Sequence, residues 1–191
     1  MSFKKILVFL LVVLILILGG NYILKKYVFP IKYEEYITKY AEEFEVDPLL
    51  ILSIMKTESN FSNDAKSNKD AKGLMQIMDQ TGEWAAEELG IVYFMPNMMY
   101  DPEMNIKIGT WYVDRLNDEF NGDLELMLAA YNGGSGNVTK WLKNTEYSSD
   151  GKTLDYIPFP ETKKYVDRVK TYYSIYKYLY NNSEFKIENV E

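Results

Sequence analysis

The sequence predicts an all-α domain of six or seven helices carried behind a single N-terminal transmembrane helix. Three observations lead there. Apolar residues recur at helical spacing in segments from Tyr33 to Leu179. Alternating runs of β-branched and aromatic residues, the mark of strands, are nearly absent. Finally, nineteen consecutive uncharged residues, Ile6 to Leu24, stand between two Lys-Lys pairs.

The N-terminal segment comes first. Lys4 and Lys5 precede thirteen unbroken apolar residues, Ile6 to Leu18, and Lys25 and Lys26 close the stretch. Nineteen residues just span a bilayer core. Thirteen also suits the apolar run of a cleaved signal peptide, but Leu18 stands where a cleavage site needs a small side chain. An uncleaved anchor is therefore expected. Residues 1–26 are read as the anchor or signal segment and 27–191 as one extracytoplasmic domain.

Within that domain Tyr33, Ile37, Tyr40 and Phe44 repeat at spacings of four, three and four, an amphipathic helix. Asp47 then reads as an N-cap with Pro48 at the first helical position, opening a helix that runs to about Glu58. "SNDAKSNKDAKG" is turn chemistry, after which a third helix is expected near Leu74, and "FMPNMMYDPEMN" reads as irregular. Ile106, Gly109, Val113 and Leu116 mark a helix over Pro102 to Phe120, and Leu124 to Ala130 a shorter one. "YNGGSGN" reads as a glycine-rich break and "SSDGKTLDYIPFP" as a loop. A last helix starts near Glu161, behind Pro160, with Tyr165, Val169, Tyr172, Tyr176 and Leu179 as its stripe.

Composition narrows the chemistry. The chain has no histidine and no cysteine. That excludes Ser-His-Asp and Cys-His catalysis, thiol redox chemistry, disulfides, the common zinc sites and a lipid-modified cysteine. Proton transfer is left to Asp, Glu, Lys or Tyr. Of the 21 lysines and arginines four lie in the first 26 residues, leaving 17 against 28 acids, a net charge of −11. A domain so acidic is not expected to bind nucleic acid or anionic lipid through bulk electrostatics.

One carboxylate stands out. Glu58 closes the very apolar helix "LLILSIMKTE", where both burial and the negative end of the helix dipole disfavour its charge. A carboxyl with a raised pKa is what a general acid near neutral pH requires. From position alone, a surface glutamate at a helix end is the plainer reading. "NKDAKGLMQIMD" has the spacing of a calcium loop, but Lys72 stands at a ligand position and Asp79 replaces the bidentate glutamate. No metal or cofactor is expected.

"ESNF" at 58–61, "GLMQ" at 73–76, "AYNGG" at 130–134 and "IPFPETKKYV" at 157–166 occur in that order. Together they resemble the four motifs of the SLT-type lytic transglycosylases, relatives of goose-type lysozyme. The resemblance extends over residues 33–180 and implies a lysozyme-like fold acting on the glycan strands of peptidoglycan. It implies that Glu58 is the single catalytic acid, and that Ser67 lines the sugar groove. Gln76 would hydrogen-bond the glycan, with Met75 shaping the wall beside it. Tyr131 and Asn132 would lie next to the acid, and Glu161 and Tyr165 would complete the site from the last helix. Glu161, at a helix start, is expected to be ionised and to order the site. Taken singly, most of these residues read as core, cap or surface. The inserted stretch "NTEYSSDGKTLD" is expected to cover part of the groove. The implied reaction leaves a 1,6-anhydromuramic acid end; a hydrolytic muramidase and a silent peptidoglycan-binding scaffold are the alternatives. The expected location is the cell membrane, single-pass, with the domain on the wall side and a cell-envelope complex as a further partner.

Overall fold

The computed structural model describes residues 3–180. Among these there are eight α-helices and no strand, only two isolated bridges that join Lys72 to Lys66 and to Ile77. The helices are α1 (Phe3–Ile23), α2 (Glu34–Glu43), α3 (Pro48–Glu58), α4 (Asp79–Glu88), α5 (Pro102–Glu119), α6 (Leu124–Gly133), α7 (Ser135–Leu142) and α8 (Pro160–Leu179).

Aspartates start three of them, because a short carboxylate reaches the free N–H groups of a first turn. Asp47 accepts from Leu49 N at 2.8 Å, Asp101 from Met104 N at 2.9 Å, and Asp123 from Glu125 N and Leu126 N at 2.9 and 3.0 Å. Asp47 is also held from outside, accepting from the Tyr173 hydroxyl of α8 at 2.6 Å.

The core is built around α3. Leu49 through Met55 are all buried, so this helix is enclosed by its neighbours until its last turn. It packs chiefly on α8, which also carries α6; α5 lies across α2, α4 and α6. Burying a Leu, Ile or Met side chain stabilises by roughly 1.5–3 kcal/mol each, so α3 is held rigidly. Whatever stands at its C-terminus is fixed with it.

Two elements differ from the sequence expectation. The third helix starts at Asp79, not Leu74. "GLMQ" is a tight turn instead, with Gly73 at φ +75°, Gln76 at φ +50° and Lys72 paired with Ile77 on both sides. The glycine-rich "YNGGSGN" is not a long break. Tyr131, Asn132 and Gly133 continue α6, only Gly134 (φ +87°) departs, and α7 begins at once with Ser135. The "irregular" stretch also contains a 3-10 turn, Pro96–Tyr100.

No residue of α1 is buried and, with the π-helical turn Leu24–Val28 that continues it, this segment is long and apolar enough to cross a membrane. Phe29 then plugs into the domain, edge-on to Tyr172 and Tyr176 with ring centroids 5.4 Å away in each case. The Tyr176 hydroxyl donates to Pro30 O at 3.2 Å. The Tyr180 hydroxyl lies 2.7 Å from Phe29 O and 3.1 Å from Lys25 O.

Candidate active site

Glu58 ends α3, and the chain immediately turns through two left-handed residues, Asn60 (φ +51°) and Phe61 (φ +66°). An aromatic side chain in that region is strained unless packing compels it. Phe61 is buried in the core. Ser59 donates from Oγ to Leu74 O at 2.8 Å, which stitches "ESNF" to "GLMQ".

The "GLMQ" turn is held from several sides. The fully buried Asn105 of α5 accepts from Met75 N at 2.8 Å and donates to Lys72 O and Met99 O at 2.9 and 2.8 Å. A Cβ on Gly73 would lie 2.1 Å from Met99 O, and one on Gly109 only 2.3 Å from the Met75 sulfur, so both positions need glycine. The Tyr131 hydroxyl donates to Met75 O at 2.8 Å. Gln76 spends its amide hydrogens on Ala65 O and Gly73 O at 3.1 and 2.9 Å, which leaves its carbonyl oxygen for a ligand. The Met75 side chain is fully buried under the turn, so this residue contributes its backbone and not the groove wall expected of it.

Three cavities of about 370, 290 and 260 Å³ merge into one groove over this turn. Asn132 lines all three, and Glu58 lies where the first and third meet. Ser67, Gln76, Tyr131 and Glu161 line the first with it, and Tyr165 the third. Seven of the eight residues singled out from the sequence thus face one groove. Met78, Tyr112, Lys69, Lys164 and Arg168 also line it and were not anticipated; nothing in their spacing distinguishes them from surface or core residues. The inserted stretch 144–155 lines none of these cavities, contrary to expectation.

The surroundings of the two carboxylates differ in burial. Burial pushes Glu58 up to about 7; the Tyr165 hydroxyl, which faces it, pulls the other way, and the charge of Glu161 adds to the rise. The Tyr165 hydroxyl is buried and makes no well-aligned hydrogen bond, so it opposes the burial effect only in part. Tyr131 and Tyr165 stack in parallel, and burial with the neighbouring Glu58 drives both phenols well above their ordinary value. They stay neutral, and Glu58 is the group that titrates near pH 7. The Glu161 side chain is 76% exposed and lies 3.6 Å from the Lys69 ammonium. In the calcium-like stretch the Lys72 ammonium is itself bound to Asp79.

The model of the family called Transglycosylase SLT domain matches residues 35–154. The chain belongs to this family. The match ends before "IPFPETKKYV", the segment that α8 brings to the groove through Glu161 and Tyr165. This SLT domain is 35% identical over 152 residues to the soluble lytic murein transglycosylase of Escherichia coli K12, covering 78% of the chain and 24% of that protein. It is 34% identical over 125 residues to the membrane-bound lytic murein transglycosylase C of Edwardsiella ictaluri, covering 57% of the chain and 33% of that protein. Among solved structures, an inactive mutant of the lytic transglycosylase Slt of Pseudomonas aeruginosa superposes with a TM-score of 0.70 at 33% identity, covering 78% of the chain and 24% of that one. A 70 kDa soluble lytic transglycosylase in complex with bulgecin A gives 0.72 at 31% identity, covering 85% and 27%. The chain spans about a quarter of the length of the soluble relatives it matches.

Proposed function

We propose that this SLT domain is a peptidoglycan lytic transglycosylase that cuts the β-1,4 bond between N-acetylmuramic acid and N-acetylglucosamine. The observation that carries the reading is Glu58: a carboxyl held near neutrality by burial, on a rigid helix, at the junction of a groove. A group with that pKa is half protonated at neutral pH and can serve as acid and then as base.

Protonated Glu58 gives its proton to the bridging oxygen as the C1–O bond breaks and positive charge builds on the muramyl ring. The sugar's N-acetyl group assists, its 6-hydroxyl attacks C1, and the hydroxyl proton passes to the Glu58 carboxylate. The acid is restored, a 1,6-anhydro ring forms, and no water enters. An attack within one sugar has high effective molarity, provided the groove holds the ring bent. Asn132, the Gln76 carbonyl oxygen and Ser67 would orient the glycan. The Tyr165 hydroxyl would steady the Glu58 carboxylate between the two steps, and Glu161 would order the site. The apolar α1 would hold the domain on the wall side of the membrane, as the similarity to a membrane-bound relative supports.

A hydrolytic muramidase is the second reading, favoured by the position of Glu161 on the same cavity, where a second carboxylate would activate water. Mass spectrometry of products from purified wall decides. Products one water lighter are expected from the parent and none from Glu58→Gln. Reducing-end products at full mass would establish the muramidase, and an active Glu58→Gln would overturn both readings.

A further inference from the structure

The basic side chains of α8 divide into two sets. Lys163 is bonded to Asp167 at 2.6 Å, Lys170 to Glu125 at 2.7 Å, and Lys177 lies 4.3 Å over the Tyr173 ring. Lys164 and Arg168 are different. They stand four residues apart, hence on one face of the helix, both exposed, and neither forms an ion pair or hydrogen bond within the described residues. Two like charges at that spacing repel. They are kept together in a domain with a large excess of acids, yet no acid is paired with them. Both line the 260 Å³ cavity, together with Thr57, Glu58, Asn132, Glu161 and Tyr165.

We propose that Lys164 and Arg168 form a carboxylate-binding subsite for the peptide stem of the muramic acid whose bond is cut. The inference rests on the substrate assigned under Proposed function. A glycan backbone with amide-linked stems is neutral; the stem is the part that carries free carboxylates, and it branches from the sugar at the scissile bond. A stem there has to leave the groove beside Glu58, and of the two cavities that Glu58 lines, the 260 Å³ one carries the two unengaged cations. The planar Arg168 fork suits a carboxylate bidentately, and Lys164 adds a mobile point charge. Against a domain of strongly negative charge, this pair would offset the repulsion that an acidic stem meets on approach. Glu161, on the same cavity, faces Lys69 and would not compete for the pair.

The test is binding to the full chain carrying Glu58→Gln, in detergent micelles, by calorimetric titration. One probe is N-acetylglucosaminyl-N-acetylmuramyl-tripeptide with free carboxylates; the other is the same disaccharide without its stem and with the lactyl carboxyl capped as a neutral amide. The stem-bearing probe should bind about five- to tenfold tighter, the scale of one or two partly exposed charged contacts. Adding Lys164→Ala and Arg168→Ala should bring the ratio to about one, and raising the salt should do the same progressively. Both side chains are exposed, so helicity by circular dichroism should match the parent. A ratio near one before the double substitution, or one unmoved by it, overturns the subsite. Wall cleavage by the Glu58→Gln chain overturns the proposed activity instead, and leaves the affinity ratio as the measure of the subsite.

Discussion

The Tyr131 hydroxyl donates to the Met75 carbonyl at 2.8 Å, tying the end of α6 to a turn fifty-six residues earlier. The same ring stacks parallel to Tyr165, whose hydroxyl faces Glu58. One tyrosine therefore joins three of the four motifs, through one hydrogen bond to a backbone carbonyl and one ring stack.

Tyr131→Phe keeps the ring and removes the bond, leaving the Met75 carbonyl unpaired at a buried turn. A loss of about 1–2 kcal/mol is expected in urea unfolding. An unchanged midpoint would show that the turn stands without this tie.

Glu58 should make the protein less stable as pH rises. Its folded pKa, about 7, lies above the ordinary 4.5, so the folded state favours the protonated form. That contribution is fully present below 4.5 and is lost as pH climbs through 7. Glu58→Gln should thus match the parent near pH 4 and exceed it by about 2–3 kcal/mol at pH 8. Parallel stability curves for the two proteins across this range would contradict the burial described.

Asn105→Ala should be among the costliest single changes in the domain. It strands Met75 N and Met99 O in the interior and leaves Lys72 O with only its bond from Ile77 N. A loss of about 3–4 kcal/mol is expected by chemical denaturation, with wall-degrading activity falling at the same time because the "GLMQ" turn is released. Activity surviving at the parent level would separate the turn from the reaction.

Phe29→Ala removes the plug between Tyr172 and Tyr176 and should cost about 3 kcal/mol. Limited proteolysis should then open the chain between Lys25 and Lys32 well before the helical core is cut. Persistent resistance there would mean that the tyrosine hydroxyls alone secure the junction.

α3 was legible from its Asp47-Pro48 start, where side chain and backbone give the same instruction locally, and α5 from its apolar stripe; its Asp101 cap emerges only in the structure. The misplaced elements were those decided by distant partners. "GLMQ" has the apolar content of a helix start, but Asn105, Ser59 and Tyr131 pull its backbone into a turn. Three glycines in seven residues suggested a break, although only Gly134 needs the freedom. In the groove, motif residues were recognisable as a set, while Lys164 and Arg168 acquire meaning only from the cavity they border. Met75 lies in the layer beneath the groove wall, and an apolar side chain suits either place.

The clasp at the N-terminal junction has a mechanical consequence. With Phe29 seated among the α8 tyrosines and the Tyr180 hydroxyl against Phe29 O and Lys25 O, there is no slack cord between the apolar rod and the helical domain. Whatever immobilises α1 also sets the height and bearing of the groove, so a ligand would be met only at a fixed distance from that anchorage.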